Sequence, residues 1–154
     1  MRRIACLSAT LALIAVLGAC GGDDGVSADP SVAFLVGDWS ATHMVVTPDL
    51  APDQALDLVE AGGSFSINVQ PSGQYTAVIG IPGFGAPPPE LGTLTVEGDE
   101  IVFTRTSPPP RTVSRATYEE IAPGHVTFSG PSEVDLDGNG TMDAVTLEVE
   151  IVRD

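Results

Sequence analysis

The sequence predicts an all-β domain, a single eight-stranded up-and-down antiparallel barrel. Three observations carry this. From residue 36 onward apolar and polar side chains alternate with a period of two in segment after segment, the signature of strands with one buried face. The connections between those segments alternate in length, tight and then long. Only "APDQALDLVEAG", residues 51–62, could be helical, and it is short.

The elements follow in chain order. "MRR" supplies a positive start and "IACLSATLALIAV" an apolar stretch too short and too early for a spanning helix, so residues 1–19 read as an export signal. The stretch ends in Leu17, Gly18, Ala19 and Cys20, which resemble the bacterial lipobox. That resemblance implies lipid on the Cys20 thiol and cleavage just before it. Cys6 leaves with the signal, so the mature chain has no disulfide and no cysteine metal site, and its stability must come from packing. Residues 20–34, opening "GGDDGVSADPS", are small, polar and acidic and read as a flexible tether. The domain then occupies residues 35–154.

Strand one is "DWSATHMVV", with His43 on its buried face by simple alternation. "SFSINVQ" buries Phe65, Ile67 and Val69, and "QYTAVIGI" buries Tyr75, Ala77, Ile79 and Ile81. "TLTVE" buries Leu94 and Val96, and "EIVFT" buries Ile101 and Phe103. "TVSRATYEE" is weaker, with Glu119 and Glu120 pointing to opposite faces. "HVTFS" buries Val126 and Phe128, and "VTLEVEI" buries Val145, Leu147, Val149 and Ile151.

Between these strands "PSG", "EGD" and "APG" are tight turns by composition. The other connections, residues 48–62, 82–90, 107–111 and 130–143, are long. In a meander, alternate connections share an end. Every long loop therefore falls at a mouth and every tight turn at a floor, which is how a barrel differs from a sandwich.

"LVGDWSA" at the start of strand one resembles the Gly-x-Trp opening of the lipocalins, and residues 35–153 as a whole resemble the lipocalin-like, calycin-type domains of bacterial lipoproteins. The resemblance implies that Gly37 permits close backbone packing, that Trp39 plugs the barrel floor, and that Arg153 stacks on Trp39. It lacks the Thr-Asp-Tyr motif and the helix after the barrel that mark lipocalins proper.

Charge excludes one class of partner. The chain carries a formal net charge of −15, has no Lys, and after the signal holds only Arg105, Arg111, Arg115 and Arg153 as fixed cations. Binding phosphates needs clustered Lys and Arg, so nucleic acid is not a partner. The acidity keeps an exported monomer soluble and favours cations.

"DLDGNGTMD" places Asp135, Asp137, Asn139, Thr141 and Asp143 at alternate positions of a calcium-type loop, with Gly140 at the sharp turn. Position twelve is Thr146 rather than a bidentate Glu. The same residues also read as a plain turn, since Asp-Gly and Asn-Gly are strong turn formers. Calcium is the one cofactor the sequence suggests.

No catalytic constellation is legible. His43 and His125 have no zinc spacing, no Gly-x-Ser-x-Gly elbow occurs, and "GIPGFG" precedes no helix. The chain reads as a non-enzyme anchored in the bacterial cell envelope. Gly21 after Cys20, where an inner-membrane protein commonly has Asp, points to the outer membrane. Two functional classes remain. One is a binder of a small apolar molecule, with Phe65, Tyr75, Ile79, Phe103 and Phe128 lining the interior. The other is an interaction or structural module whose interior is filled by those side chains and whose Pro-rich loops contact a protein or the peptidoglycan layer.

Overall fold

The computed structural model describes residues 28–83, 87–135 and 139–154. The signal, Cys20, the first part of the tether and Asp137 lie outside the described residues. The strands are β1 (Gly37–Pro48), β2 (Leu56–Asp57), β3 (Ser64–Val69), β4 (Gln74–Gly80), β5 (Glu90–Glu97), β6 (Glu100–Ser107), β7 (Thr112–Ala122), β8 (His125–Val134) and β9 (Asp143–Arg153). All pairings are antiparallel, each long strand pairs with the next, and β1 pairs with β9 from Trp39↔Arg153 to Pro48↔Val145. Eight long strands thus close into an up-and-down barrel, and the two-residue β2 is an addition on the outer loop.

The eight predicted strands are all present, because each carried a period-two pattern that one buried face requires. Their inward residues form the core: Ile67, Val69, Leu94, Ile101, Val126, Val149 and Ile151 are all buried. The tight turns and the long loops fall at opposite ends, so the barrel has a floor and a mouth. The peptide bonds before Pro108 and Pro110, in the loop joining β6 to β7, are cis.

Three features depart from the sequence reading. The segment expected to end the tether is folded: Pro30–Leu35 is a 3-10 helix, capped by Asp29 accepting from the Ser31 N–H at 2.9 Å. Its reason is apolar, since Val32 and Leu35 are buried against the barrel floor. The stretch 51–62 is not an α-helix. It holds a single 3-10 turn at Pro52–Gln54 followed by β2, which pairs Val45↔Asp57 and Val46↔Leu56 and so covers the free edge of β1. Finally, His43 is exposed rather than buried. The β1–β9 ladder shifts register between Ala41 and His43, and this bulge inserts one residue, so Trp39 points inward, His43 outward and Met44 inward again.

One wall of the barrel is laced over only half its height. The β7–β8 ladder runs from Ala122↔His125 at the floor to Thr117↔Ser129 and stops. Above that point Thr112–Thr117 pairs with β6, and Gly130–Val134 pairs with β9, but no ladder pair joins the two strands. Pro131 sits on this unpaired edge, where a residue without an N–H is tolerated. Thr112, Val113, Ser114 and Arg115 are all exposed.

Candidate functional site

Two ends of the barrel concentrate the distinctive residues. At the floor Trp39 is buried, and its Nε1–H donates to the Leu35 carbonyl at 2.7 Å, tying the 3-10 helix to β1. The Arg153 guanidinium carbon stands 4.5 Å from the Trp39 ring centroid. The same guanidinium donates to the Phe34 carbonyl at 2.8 Å and to the Val36 carbonyl. Gly37 has a φ of +129°, a conformation that favours glycine, and a Cβ there would lie 2.8 Å from Arg153 Nη1. Phe34 stacks on Tyr118 at 5.1 Å, closing the floor from the β7 side.

Above this floor the interior holds a cavity of about 190 Å³. Phe65, Tyr75, Ile79, Phe103 and Phe128 all line it, together with Met44, Ile67, Leu147 and Val149. The rings meet edge-on or tilted: Phe65 with Phe128 at 6.4 Å, Phe103 with Phe128 at 5.8 Å, Tyr75 with Phe103 at 5.7 Å. Such packing is favourable for aromatic quadrupoles and leaves gaps between ring edges. An engineered apolar cavity of about 150 Å³ accepts benzene, so the void is large enough for one ring or a short aliphatic chain. Ser114, Arg115 and Ala116 on one side and Gly130, Pro131 and Ser132 on the other also line it. These residues flank the part of the β7–β8 wall that has no ladder pairs.

One polar constellation interrupts the apolar lining. The Tyr75 hydroxyl donates to Glu90 Oε1 at 2.6 Å, and Glu90 Oε2 lies 3.6 Å from Arg105 Nη1. Burial drives the Tyr75 phenol far above its ordinary range, and the Glu90 carboxylate adds to the effect, so Tyr75 is a hydrogen-bond donor at every physiological pH. Gly92 makes the arrangement possible. It faces Tyr75 across the β4–β5 ladder, and a Cβ there would come within 2.7 Å of the Tyr75 ring and 2.3 Å of the Thr104 carbonyl. Glu90 was missed in the sequence because it borders a run of three prolines and was assigned to the loop. The available signal was parity: Glu90, Gly92 and Leu94 share a face.

The acidic loop is described in part. Asp135 Oδ1 accepts from the Asn139 N–H at 3.1 Å and Oδ2 from the Gly140 N–H at 2.9 Å, while Asn139 Oδ1 accepts from the Thr141 N–H at 2.7 Å. These are turn-forming bonds. Asp143 opens β9 opposite Val134.

Both histidines lie on one outer patch. His43 Nδ1 is 2.6 Å from Asp57 Oδ2, and His125 Nε2 is 2.7 Å from Glu150 Oε1. His43 and Glu150 are ladder partners on β1 and β9. Donor atoms of His43, Asp57 and Glu60 lie within 4.8 Å of one another, close enough to share a metal ion. Asp57 Oδ1 is meanwhile engaged by the N–H groups of Met44, Val59 and Glu60 at 3.3, 2.8 and 3.3 Å, which anchors the outer loop to β1.

Comparison with protein families, curated proteins and solved structures gives no match. The function must be argued from the cavity and its lining.

Proposed function

We propose that this chain is a lipoprotein of the bacterial envelope, anchored by lipid on Cys20 and directed to the outer membrane by Gly21 after it, with a lipocalin-like barrel that binds a small apolar molecule without transforming it. The observation that carries the reading is the cavity of about 190 Å³ above a sealed floor, lined by Phe65, Phe103, Phe128 and Ile79. Protein interiors are packed to crystal-like density, and a void of this size is a cost that ligand binding offsets. The unlaced seam supplies a way in.

The test is a benzene-sized apolar probe. Toluene is expected to raise the melting temperature of the chain, and Ala77→Phe, which fills the void, to abolish that rise. Absence of any toluene effect on the parent protein would overturn the reading. Calcium at the acidic loop belongs to the same proposal: a calcium-specific rise in melting temperature, lost in Asp135→Ala, would show an ion ordering one lip of the mouth.

A second reading, a non-enzymatic interaction module, is favoured by one observation. Leu50 is 100% exposed, Val113 60% and Met142 57%, and all three lie at the mouth end. Capture of an envelope protein or cell-wall material that survives the Ala77→Phe change would favour this second reading.

A further inference from the structure

We propose that the cavity is built for a small protonated amine with an apolar body, its ammonium group held by the Glu90 carboxylate. This deepens the apolar-binder reading and rests on it.

The polar side chains around the void are few and share one character. Tyr75, Glu90, Ser114 and Ser132 line it. The Tyr75 proton is already spent on Glu90 Oε1, which leaves the phenol oxygen able only to accept. Glu90 is an acceptor in its ionised form, and its Oε2 has an ion-pair neighbour at 3.6 Å but no hydrogen bond among the described residues. The serine hydroxyls accept as readily as they donate. Arg115 also borders the cavity, but its guanidinium is turned away and bonded to Glu97 at 2.9 Å and Glu100 at 3.0 Å. Tyr75 and Glu90 therefore offer acceptors, whereas the buried Arg105 Nε, a donor without a hydrogen-bond partner among the described residues, is not part of the lining.

Arg105 is the counter-charge to this argument and clarifies it. It lies 3.6 Å from Glu90 Oε2 and is not among the residues lining the void. Its Nη2 reaches the Pro110 carbonyl at 3.5 Å, and it approaches Glu90 no closer than ion-pair distance. The field of a chain with net charge −15 favours a cationic ligand and speeds its arrival. An ammonium group in reach of Glu90 Oε2 makes a charge-assisted hydrogen bond in a half-buried site, where such bonds are strongest. The remaining void has room for one ring beside the phenylalanines, where an aromatic face also attracts a cation.

The experiment compares probes with one ring and different heads: benzylamine, benzyl alcohol, benzoate and toluene, titrated into the full chain by calorimetry at neutral pH. Benzylamine is expected to bind at least tenfold more tightly than benzyl alcohol, and benzoate more weakly than either. In Glu90→Gln the amine preference should fall to near unity while toluene and benzyl alcohol still bind, which shows that the barrel is intact. Removing the competing cation in Arg105→Gln should tighten benzylamine several-fold. Equal affinities for amine and alcohol, or a preference for benzoate, would overturn the amine assignment and leave the apolar-binder reading standing. If toluene and every other probe fail to bind, both fall together.

Discussion

At the floor of the barrel, Trp39 is 1% exposed, its N–H is bonded, its face is covered by Arg153, and a 3-10 helix is drawn beneath it by Val32 and Leu35. At the mouth, the β7–β8 ladder ends at Thr117↔Ser129, Glu90 borders the interior with Arg105 at ion-pair distance, and the rings of Phe65, Phe103 and Phe128 line a void. The same sheet runs through both ends. What differs is how many independent constraints meet at each residue. At the floor, ladder, stacking and capping all demand one arrangement, and such agreement between levels is what makes a region stable. At the mouth the ladder is given up where the cavity opens, as expected where a protein keeps a site accessible.

The comparison is broken most forcefully at Trp39. Trp39→Ala is expected to cost about 3–5 kcal/mol in denaturant unfolding, from lost burial and the cavity left behind. Phe103→Ala, at a half-buried ring that already borders empty space, should cost about 1–3 kcal/mol, below the usual range for a fully packed ring. An equal loss at both positions would mean that the two ends are equally constrained. Arg153→Met keeps a flexible apolar stem but loses the cation over Trp39 and two bonds to carbonyls, so it should cost about 1–2 kcal/mol.

Hydrogen exchange sharpens the contrast within a single strand. N–H groups of a strand point alternately to its two neighbours. In β7 the Tyr118 N–H donates to the Asp99 carbonyl on the β6 side, so by alternation the amides of Val113 and Arg115 face the seam without a ladder partner, whereas those of Thr117 and Glu119 face β8 within the ladder. Seam-facing amides should therefore exchange much faster than their laced counterparts in the same strand. Uniform protection along β7 would show that the seam is closed in solution.

How much of this was legible varied by element. The eight strands were, because each alternation can satisfy a buried face in only one way. The bulge in β1 left a trace that simple alternation overrode: Trp39 and Ala41 are odd-numbered, Met44 and Val46 even-numbered, so the apolar phase changes at Thr42. The 3-10 helix was signalled by an Asp-Pro start with Val32 and Leu35 spaced on one side, in a stretch whose overall polarity read as tether. The seam was not legible. Its cause is long-range register, and Pro131 is the only local hint that β8 has an unpaired edge.

The smallest effect concerns the outer patch, where β2 and its loop are pinned to β1 by His43 and Asp57. The hydrogen bond that the His43 ring donates to Asp57 raises the imidazole above its ordinary value of 6.5, against a modest loss of hydration, and the charges of Asp57, Glu150 and Glu60 add to it. Burial pushes the Asp57 carboxyl up, but the bonds from His43 and from the N–H groups of Met44, Glu60 and Val59 together bring it below 3.8. A raised imidazole contributes stability that is complete below 6.5 and is lost as pH rises through its folded value. A lowered carboxyl contributes stability above 3.8 that is lost as pH falls. Both contributions coexist between those limits, so the melting temperature lost in His43→Ala should be greatest near about pH 5 and shrink towards pH 8. Because the His43 side chain is 49% exposed, the difference will be small and should narrow further in high salt. A loss independent of pH would mean that His43 holds the loop by packing alone, and the outer patch would then join the floor as a region fixed by shape rather than charge.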